Sequence, residues 1–147
     1  MIYTPLTIKA LKLSYSLHHG QYDKAGVPYI YHPYHIAELM TSEYSVCAAL
    51  LHDTVEDTSI TLNELSELFP KEVVHAVELL THEDHVPYTE YIQSIKTDPI
   101  AKEVKLADIR HNSDQSRFAG ANDISGTKLE QLREKYAAAL EMLLAED

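Results

Sequence analysis

Apolar residues recur at intervals of three and four along almost the whole chain, and only 4 of the 147 residues are glycine. This spacing is typical of helices that turn one face toward a core. It predicts helices at Pro5–His18 with Thr4 as N-cap, Pro33–Met40, Ser45–Thr54, Thr61–Leu68, Pro70 or Lys71 to Leu80, Tyr88–Lys96, Pro99–His111 and Thr127–Ala145. We therefore predict an all-α fold, a single helical bundle of about eight helices over residues 1–147.

Three predicted segments interrupt the helices. Gly20–Pro33 contains two glycines and two prolines, which disfavour a continuous helix, and its length is typical of a functional loop. Thr81–Pro87 is predicted to be a connector, and Ser113–Gly126 a second long loop. No internal repeat or low-complexity tract divides the chain into domains.

Charge and composition narrow the possible partners. The net charge of −11 argues against a nucleic-acid partner or an anionic membrane surface, because both require clustered Lys and Arg. No stretch has the roughly 18 uncharged apolar residues of a membrane span, and Met1–Ala10 lacks an export signal. Cys47, the only cysteine, lies in an apolar run and is predicted to fill the core. We expect a cytoplasmic protein, and the sequence predicts no oligomeric state.

The pair His52-Asp53 ends an apolar predicted helix, where a charged side chain needs a partner. An isolated His-Asp pair is most often a hydrogen-bonded pair that ends a helix. Here Glu56 and Asp57 follow, and helical geometry over one more turn would set both acids beside the pair. The alternative is a solvated acidic turn with both acids pointing outward.

Two further residues can complete a metal site. His32 precedes Pro33 at the entrance to a predicted helix, and Asp108 lies on the expected inner side of another. Each alone would be interpreted as a cap or a solvated residue. Together with His52 and Asp53 they form a mixed nitrogen and oxygen ligand set that suits Mn²⁺, Fe²⁺ or Zn²⁺ better than Ca²⁺. Such a centre can activate water, so hydrolysis at phosphorus is the natural reaction.

Three motifs occur in order along the chain: the first joins HGQ at 19–21 to KAGVPYIYHP at 24–33, the second is ALLHDTVEDT at 49–58 and the third is VKLADIRHN at 104–112. This succession resembles the hydrolase domain of the RelA/SpoT family and its stand-alone relatives, the small alarmone hydrolases, which include metazoan SpoT homologues. The resemblance runs from about Ser14 to Arg117, and ordered motifs of this length are far more specific than a bare His-Asp pair. It implies an HD-domain phosphohydrolase.

The resemblance also implies a role for each residue of the site. The implied metal is one Mn²⁺ ion bound by His32, His52, Asp53 and Asp108, and the residues implied to position or deprotonate the attacking water are Glu56 and Asp57. Lys24 would face substrate phosphates and Asn112 would contact the nucleotide, whereas Lys105 and Arg110 are weaker candidates. The implied reaction removes the 3′-pyrophosphate from guanosine tetra- or pentaphosphate (ppGpp or pppGpp), giving GDP or GTP. The remaining histidines fit no ligand set: His18, His35, His75, His82, His85 and His111.

The chain departs from the family pattern at the rim of the implied nucleotide site. Asp23 stands where many members have an Arg that is thought to stack on the purine, and Ser-Asp-Gln-Ser-Arg117 replaces the usual residues after Asn112. Tyr22, Tyr29 or Arg117 is a possible substitute stacking surface. Two alternative hypotheses follow: an HD phosphohydrolase acting on another nucleotide or a phosphorylated cofactor, and a nucleotide-binding sensor domain without turnover.

Overall fold

The structure, a computed structural model, describes residues 1–119 and 126–146. These residues form nine α-helices and one 3₁₀ helix. The α-helices are α1 Pro5–His18, α2 Tyr31–Glu38, α3 Glu43–Leu51, α4 Thr54–Asp57, α5 Leu62–Leu68, α6 Lys71–Leu80, α7 Tyr88–Lys96, α8 Pro99–Asn112 and α9 Gly126–Leu144, and the 3₁₀ helix is Gln115–Phe118. The predicted all-α fold of about eight helices is confirmed, and the additional helix is the single turn α4.

The predicted helix starts at Thr4 and Thr61 are confirmed. The Thr4 hydroxyl accepts a hydrogen bond from the backbone N–H of Thr7, and the Thr7 hydroxyl accepts one from the backbone N–H of Thr4. Thr61 and Glu64 form the same reciprocal arrangement at α5. Each such cap contributes about 1 kcal/mol because it satisfies backbone donors that have no partner inside the helix.

Two predicted helix starts were wrong by two residues, and α2 also ends two residues early, at Glu38 instead of Met40. α2 begins at Tyr31 rather than Pro33, so the proline sits inside the first turn, where its missing N–H costs nothing. α3 begins at Glu43 rather than Ser45, because Ser42 forms a reciprocal cap with Ser45. Both shifts move the helix start toward the N-terminus by two residues.

The predicted helix Ser45–Thr54 is interrupted at the His52-Asp53 pair. α3 ends at Leu51, Asp53 adopts φ −103° and ψ 0°, and α4 starts at Thr54. Neighbouring residues on an unbroken helix project about 100° apart. The break allows the two neighbouring side chains to converge on one point.

α3 lies at the centre of the bundle and contacts α1, α2, α6 and α8. Every residue of 46–51 is completely buried, including Cys47, which confirms its predicted place in the core. The buried apolar side chains of the described residues form one cluster around this helix. α3 is therefore a rigid support for the residues at its C-terminal end.

The predicted loop between α1 and α2 is a turn stabilised by its own backbone. Gly20 and Gly26 have φ of +85° and +81°, a left-handed conformation that favours glycine. Tyr22 and Pro28 form an isolated antiparallel bridge across the turn. The loop thus has a fixed shape next to the start of α2.

The predicted loop Ser113–Gly126 contains the 3₁₀ helix, and its residues 120–125 lie outside the described part of the chain. The last helix begins at Gly126 and packs against α7 and α8. Within residues 1–119 and 126–146, no helix has the length and apolar character needed to cross a membrane.

Candidate metal centre

The four predicted metal ligands come from three places in the fold. His32 lies in the first turn of α2, His52 and Asp53 occupy the break between α3 and α4, and Asp108 lies in α8. His32, His52 and Asp108 are buried. Helix packing around α3 therefore brings together side chains that are up to 76 positions apart.

The side-chain atoms of these residues are within a few ångströms of one another. His32, His52 and Asp53 each offer one ligand atom, and the three atoms lie within 4.8 Å of one another. Asp108 Oδ1 lies 2.9 Å from His32 Nε2 and 3.5 Å from His52 Nε2, while Asp53 Oδ2 lies 3.0 Å from His52 Nε2. The predicted ligands thus converge, with two imidazole nitrogens facing two carboxylates.

Hydrogen bonds orient both imidazoles toward this point. His52 Nδ1 lies 2.6 Å from the carbonyl oxygen of Ala49, which it can satisfy only as a donor, so Nε2 is the acceptor whenever the ring is neutral. That Nε2 is buried and has no hydrogen-bond partner, although Asp53 is close. A buried acceptor without a partner fits a metal ligand, because ligating imidazoles donate their other nitrogen to a carbonyl or carboxylate.

The imidazole of His32 is held in a similar way by His111. The two Nδ1 atoms lie 2.7 Å apart, and the rings are nearly parallel with an interplanar angle of 11°. His111 in turn stacks on His35 at a centroid distance of 4.2 Å. A column of three imidazoles therefore leads from the candidate centre to the surface of α2.

Asp108 is anchored by two neighbours on α8. Lys105 Nζ donates to Asp108 Oδ2 at 2.8 Å, and Asn112 Nδ2 donates to Oδ1 at 3.1 Å. The side chains of Lys105 and Asp108 are only 12% and 7% exposed, so the ion pair is shielded from water. Burial alone would raise the pKa of Asp108, but Lys105 and the two imidazoles hold it well below its usual value.

Asp53 is anchored by Tyr29, whose hydroxyl donates to Asp53 Oδ2. Burial and the adjacent Asp53 charge raise the pKa of Tyr29, so the phenol stays protonated and acts as a donor. Burial would raise the pKa of Asp53, but His52 lowers it, and the result is about 2. Both carboxylates of the centre are therefore ionised at neutral pH.

The buried carboxylate of Asp108 and the partly buried one of Asp53 create a strong demand for positive charge between the imidazoles. Burial alone would lower the pKa of His52, yet Asp53 and Asp108 raise it well above its ordinary value. A divalent cation supplies that charge without a proton. Two imidazole nitrogens and two carboxylates suit Mn²⁺, Fe²⁺ or Zn²⁺, so the residues present fit a metal ion.

The predicted catalytic acids Glu56 and Asp57 lie on the single turn α4, directly after the candidate centre. Glu56 Oε1 accepts a hydrogen bond from the backbone N–H of His82, and the Asp57 carbonyl accepts one from Gln21 Nε2 at 2.9 Å. Partial burial, followed by the charge of Asp53, raises the pKa of Asp57, and burial also raises the pKa of Glu56. Both side chains are exposed, as the solvated-turn alternative requires, yet both feel the charge of Asp53.

The two predicted substrate residues lie in different environments. Lys24 is exposed in the turn that follows α1. Asn112 contacts the centre itself, because it bonds Asp108 and also lies 3.4 Å from Arg117 Nη1 through its own Oδ1. Asn112 thus links the candidate centre to the segment that follows α8.

Several residues of this region were missed or undervalued by the sequence reasoning. Tyr29 was considered only as a stacking surface, His111 was assigned to no ligand set and Lys105 was a weak candidate, but each contacts a predicted ligand. Only Lys105 had a signal in the sequence, because it lies three residues before Asp108 on the same helix. His82, which was also assigned to no ligand set, is half-buried; its ring nitrogen bonds the Val86 carbonyl and its ring stacks on Tyr91.

A cavity of about 400 Å³ opens beside His32. The residues that line it are Asp23, Val27, Tyr31, His32, Tyr34, His35, Glu38, His111 and Arg117. Its volume lies in the range of about 300–1,000 Å³ that is typical of small-molecule sites. Among these lining residues, His32 is the one predicted metal ligand, so the cavity adjoins the candidate centre through this side chain.

The fold and the site together define an all-helical domain with a His/His/Asp cluster able to hold a divalent metal ion. A sequence profile of the HD domain matches residues 10–115. The chain belongs to the HD domain family.

Individual relatives show what the chain is similar to. It is 41% identical over 101 residues to human guanosine-3′,5′-bis(diphosphate) 3′-pyrophosphohydrolase MESH1, a match that covers 61% of this chain and 56% of that protein. It is 47% identical over 77 residues to the GTP pyrophosphokinase of Myxococcus xanthus, covering 50% of this chain and 10% of that protein. The chain thus spans about half the length of MESH1 and a tenth of the kinase.

A solved structure shares the fold over nearly the whole chain. It is described as a metazoan orthologue of SpoT that hydrolyses ppGpp and plays a role in starvation responses. The superposition gives a TM-score of 0.85 at 22% identity and covers 99% of this chain and 89% of that one. This likeness establishes the common fold.

Proposed function

We propose that the protein hydrolyses ppGpp and pppGpp to GDP or GTP and pyrophosphate. The observation that carries the proposal is the convergence of His32, His52, Asp53 and Asp108 at one buried point, directly before the acidic turn α4. The similarity to MESH1, whose name states this activity, supports the choice of substrate. The proposed setting is the cytoplasm, with a small nucleotide as the partner and neither nucleic acid nor membrane involved.

The proposed cofactor is one Mn²⁺ ion, with Fe²⁺ or Zn²⁺ as alternatives. His32, His52, Asp53 and Asp108 would hold it, and their mixed nitrogen and oxygen donors support this choice. When bound, a divalent ion supplies Lewis-acid activation of water and of a phosphoryl oxygen. Tyr29, Lys105 and His111 would keep the ligands in place through the contacts described above.

Glu56 and Asp57 are the proposed proton acceptors. A carboxylate with a raised pKa is a better base near neutral pH than an ordinary one, and burial raises the pKa of both residues. In the reaction, the oxygen of water bonds to the phosphorus attached to the 3′ oxygen, and the bond between that phosphorus and the 3′ oxygen breaks. One proton of the water passes to the carboxylate and the other stays with the oxygen on the departing pyrophosphate. The 3′ oxygen becomes a hydroxyl by taking a proton from the carboxylic acid so formed or from solvent.

Lys24 and Asn112 are the proposed substrate contacts. Lys24 follows Asp23 in the turn beside the cavity, where an ammonium can attract phosphate. Asn112 bonds a predicted ligand and lies near Arg117, so its amide is close to both the metal position and the cavity.

A substrate screen at defined metal content tests the proposal. Purified protein loaded with Mn²⁺ is expected to release pyrophosphate and GDP from ppGpp, and Asp53→Ala is expected to abolish the release. A panel containing GTP, ATP, dinucleotides and phosphorylated cofactors distinguishes the alternatives. Cleavage of another compound while ppGpp stays intact would show that the substrate assignment is wrong, and tight nucleotide binding without turnover would indicate a sensor domain.

A further inference from the structure

Asp23 and Arg117 form an ion pair in the lining of the cavity beside His32. Asp23 Oδ2 lies 3.7 Å from Arg117 Nη2, and both residues line the cavity. Asp23 Oδ1 accepts hydrogen bonds from the backbone N–H groups of Ala25 and Val27 at 2.8 and 3.0 Å. The carboxylate therefore shapes its own turn with one oxygen and faces the guanidinium with the other.

Arg117 is held in place by its other contacts. Its Nη1 donates to the carbonyl oxygen of His111 at 2.9 Å and lies 3.4 Å from Asn112 Oδ1. Hydrogen bonds of a guanidinium lie in its plane, so all of these partners meet its edge. A planar guanidinium also has two flat faces, and this side chain is 20% exposed and lines the cavity.

Neither Tyr22 nor Tyr29 is placed to stack on a molecule in this cavity. Tyr29 lies between the rings of His18 and His32, at centroid distances of 5.0 and 5.7 Å, and its hydroxyl is bonded to Asp53. Tyr22 is 66% exposed and lines a different cavity with His18 and His19. Arg117 is the one of the three candidate stacking residues that lines the cavity beside His32.

We propose that Arg117 is the platform on which the nucleobase of the substrate stacks, and that Asp23 holds the guanidinium at the correct edge of the cavity. This inference rests on the proposed function for the nature of the substrate. A planar delocalised cation stacks on aromatic rings, and stacking tolerates any base because every base has a π face. Asp23 then supports base binding indirectly, because it holds the guanidinium of Arg117 in position.

Two ligands test the inference, one with a nucleobase and one that lacks it. Binding of GDP and of ribose 5-diphosphate to the Mn²⁺-loaded protein is measured by calorimetry, and product analysis checks that neither ligand is cleaved. The ratio of the two dissociation constants reports the contribution of the base. Stacking on one side chain corresponds to a ratio of about tenfold or more in the unaltered protein.

Substitutions at position 117 separate stacking from charge. Arg117→Ala is expected to weaken GDP binding about tenfold and to change ribose 5-diphosphate binding less than about twofold. Arg117→Lys keeps the charge but not the plane, so it is expected to lose the base contribution as well. Asp23→Asn, which can still accept the backbone hydrogen bonds of the turn, is expected to weaken GDP binding by a smaller factor.

Arg133→Ala is the matched control. Arg133 Nη2 donates to Gln115 Oε1 at 3.1 Å, so it contacts the same 3₁₀ helix, but it does not line the cavity beside His32. The Arg133→Ala variant is expected to leave the ratio of the two dissociation constants unchanged. A thermal melt of each variant verifies that it is folded.

Several outcomes overturn the inference. If Arg117→Ala weakens the binding of GDP and of ribose 5-diphosphate equally, Arg117 is a phosphate contact. Full retention of GDP affinity in Arg117→Lys would also contradict stacking. So would equal affinities of the unaltered protein for the two ligands. Base binding that depends on Arg117 in a protein that leaves ppGpp intact contradicts the proposed function alone. Cleavage of ppGpp with an unchanged ratio in Arg117→Ala contradicts the stacking role alone.

Discussion

The imidazoles of His32 and His111 share a hydrogen bond between their Nδ1 atoms, 2.7 Å apart, so one nitrogen donates and the other accepts. Burial, reinforced by the charge of Arg117, lowers the pKa of His111 to about 4, which leaves its ring neutral and able to accept. When His111 accepts this bond, a neutral His32 donates from Nδ1 and has its lone pair at Nε2, the atom that lies 2.9 Å from Asp108 Oδ1. In that arrangement His111 holds His32 in the tautomer that a metal ligand needs.

Replacing His111 is therefore expected to weaken metal binding without removing a ligand. His111→Ala should lower Mn²⁺ affinity by about 10- to 100-fold, the usual cost of losing a partner behind a ligand. Calorimetric titration of metal into the apo protein measures the effect. His75→Ala, at an exposed histidine on α6, is the control and should bind Mn²⁺ normally. Equal affinities in both variants would mean that His111 does not orient His32.

Metal binding itself is expected to stabilise the fold. At a free Mn²⁺ concentration of 100 times the dissociation constant, the free energy of unfolding should rise by about 2.7 kcal/mol. For a chain of this size, this corresponds to an increase in Tm of roughly 5–10 °C. Thermal melts with Mn²⁺, Fe²⁺, Zn²⁺ and Ca²⁺ rank the ions, and Ca²⁺ should have the smallest effect because it prefers oxygen ligands.

The stabilisation should depend on the predicted ligands. Asp53→Asn is expected to lose most of the increase in Tm, whereas Asp84→Asn, at an exposed carboxylate of the connector before α7, should keep it. A full response to Mn²⁺ in Asp53→Asn would place the ion elsewhere.

Lys105 is expected to be essential for stability because it neutralises a buried carboxylate. Removing one partner of a buried ion pair typically costs about 3–5 kcal/mol, so Lys105→Met should lower the free energy of unfolding by that order in metal-free urea titrations. Added Mn²⁺ should restore part of it by supplying positive charge to Asp108. Lys102→Met on the same helix is the control. A second variant, Lys105→Met with Asp108→Asn, should lose less stability than the sum of the single changes.

The acid limb of the rate profile is expected to depend on Glu56. Burial raises the pKa of Glu56, so the carboxylate gains its proton at a higher pH than an ordinary glutamate as the pH falls. A general base acts only when it is deprotonated. As the pH is lowered, kcat should therefore begin to fall at a pH above the usual titration range of glutamate. The measurement is kcat against pH at saturating Mn²⁺, with metal occupancy monitored at each pH.

Glu56→Gln distinguishes this base from its neighbour. The variant retains an oxygen for the backbone N–H of His82, so its fold should be preserved. We expect a loss in kcat of about 10²- to 10⁴-fold with unchanged metal affinity. If Glu56→Gln retains full activity and Asp57→Asn does not, the proton acceptor is Asp57.

The helical fold and the residues of the candidate centre were predictable, because apolar spacing and ordered motifs are local properties of the chain. The break between His52 and Asp53 was not predictable, since the run up to Thr54 has no glycine or proline to interrupt the helix. The break at Asp53 lets two neighbouring side chains converge on one point that also includes residues of α2 and α8. That is a tertiary constraint, and helix propensity contains no trace of it.

The surroundings of the ligands were harder to predict than the ligands themselves. His111 resembled any surface histidine in sequence, and only the packing of α8 against α2 brings it to His32. Arg117 and Asp23 are 94 positions apart in numbering, and nothing local connects them. Contacts that arise from helix packing are visible only in three dimensions.

His32 belongs to two places at once: its Nε2 faces the candidate metal centre, and the residue also lines the cavity that contains Arg117. An ion or a ligand that shifts the His32 side chain would change the affinity for the other, and such coupling is reciprocal. Any gain in ligand affinity that the ion confers is then matched by an equal gain in ion affinity when the ligand is present.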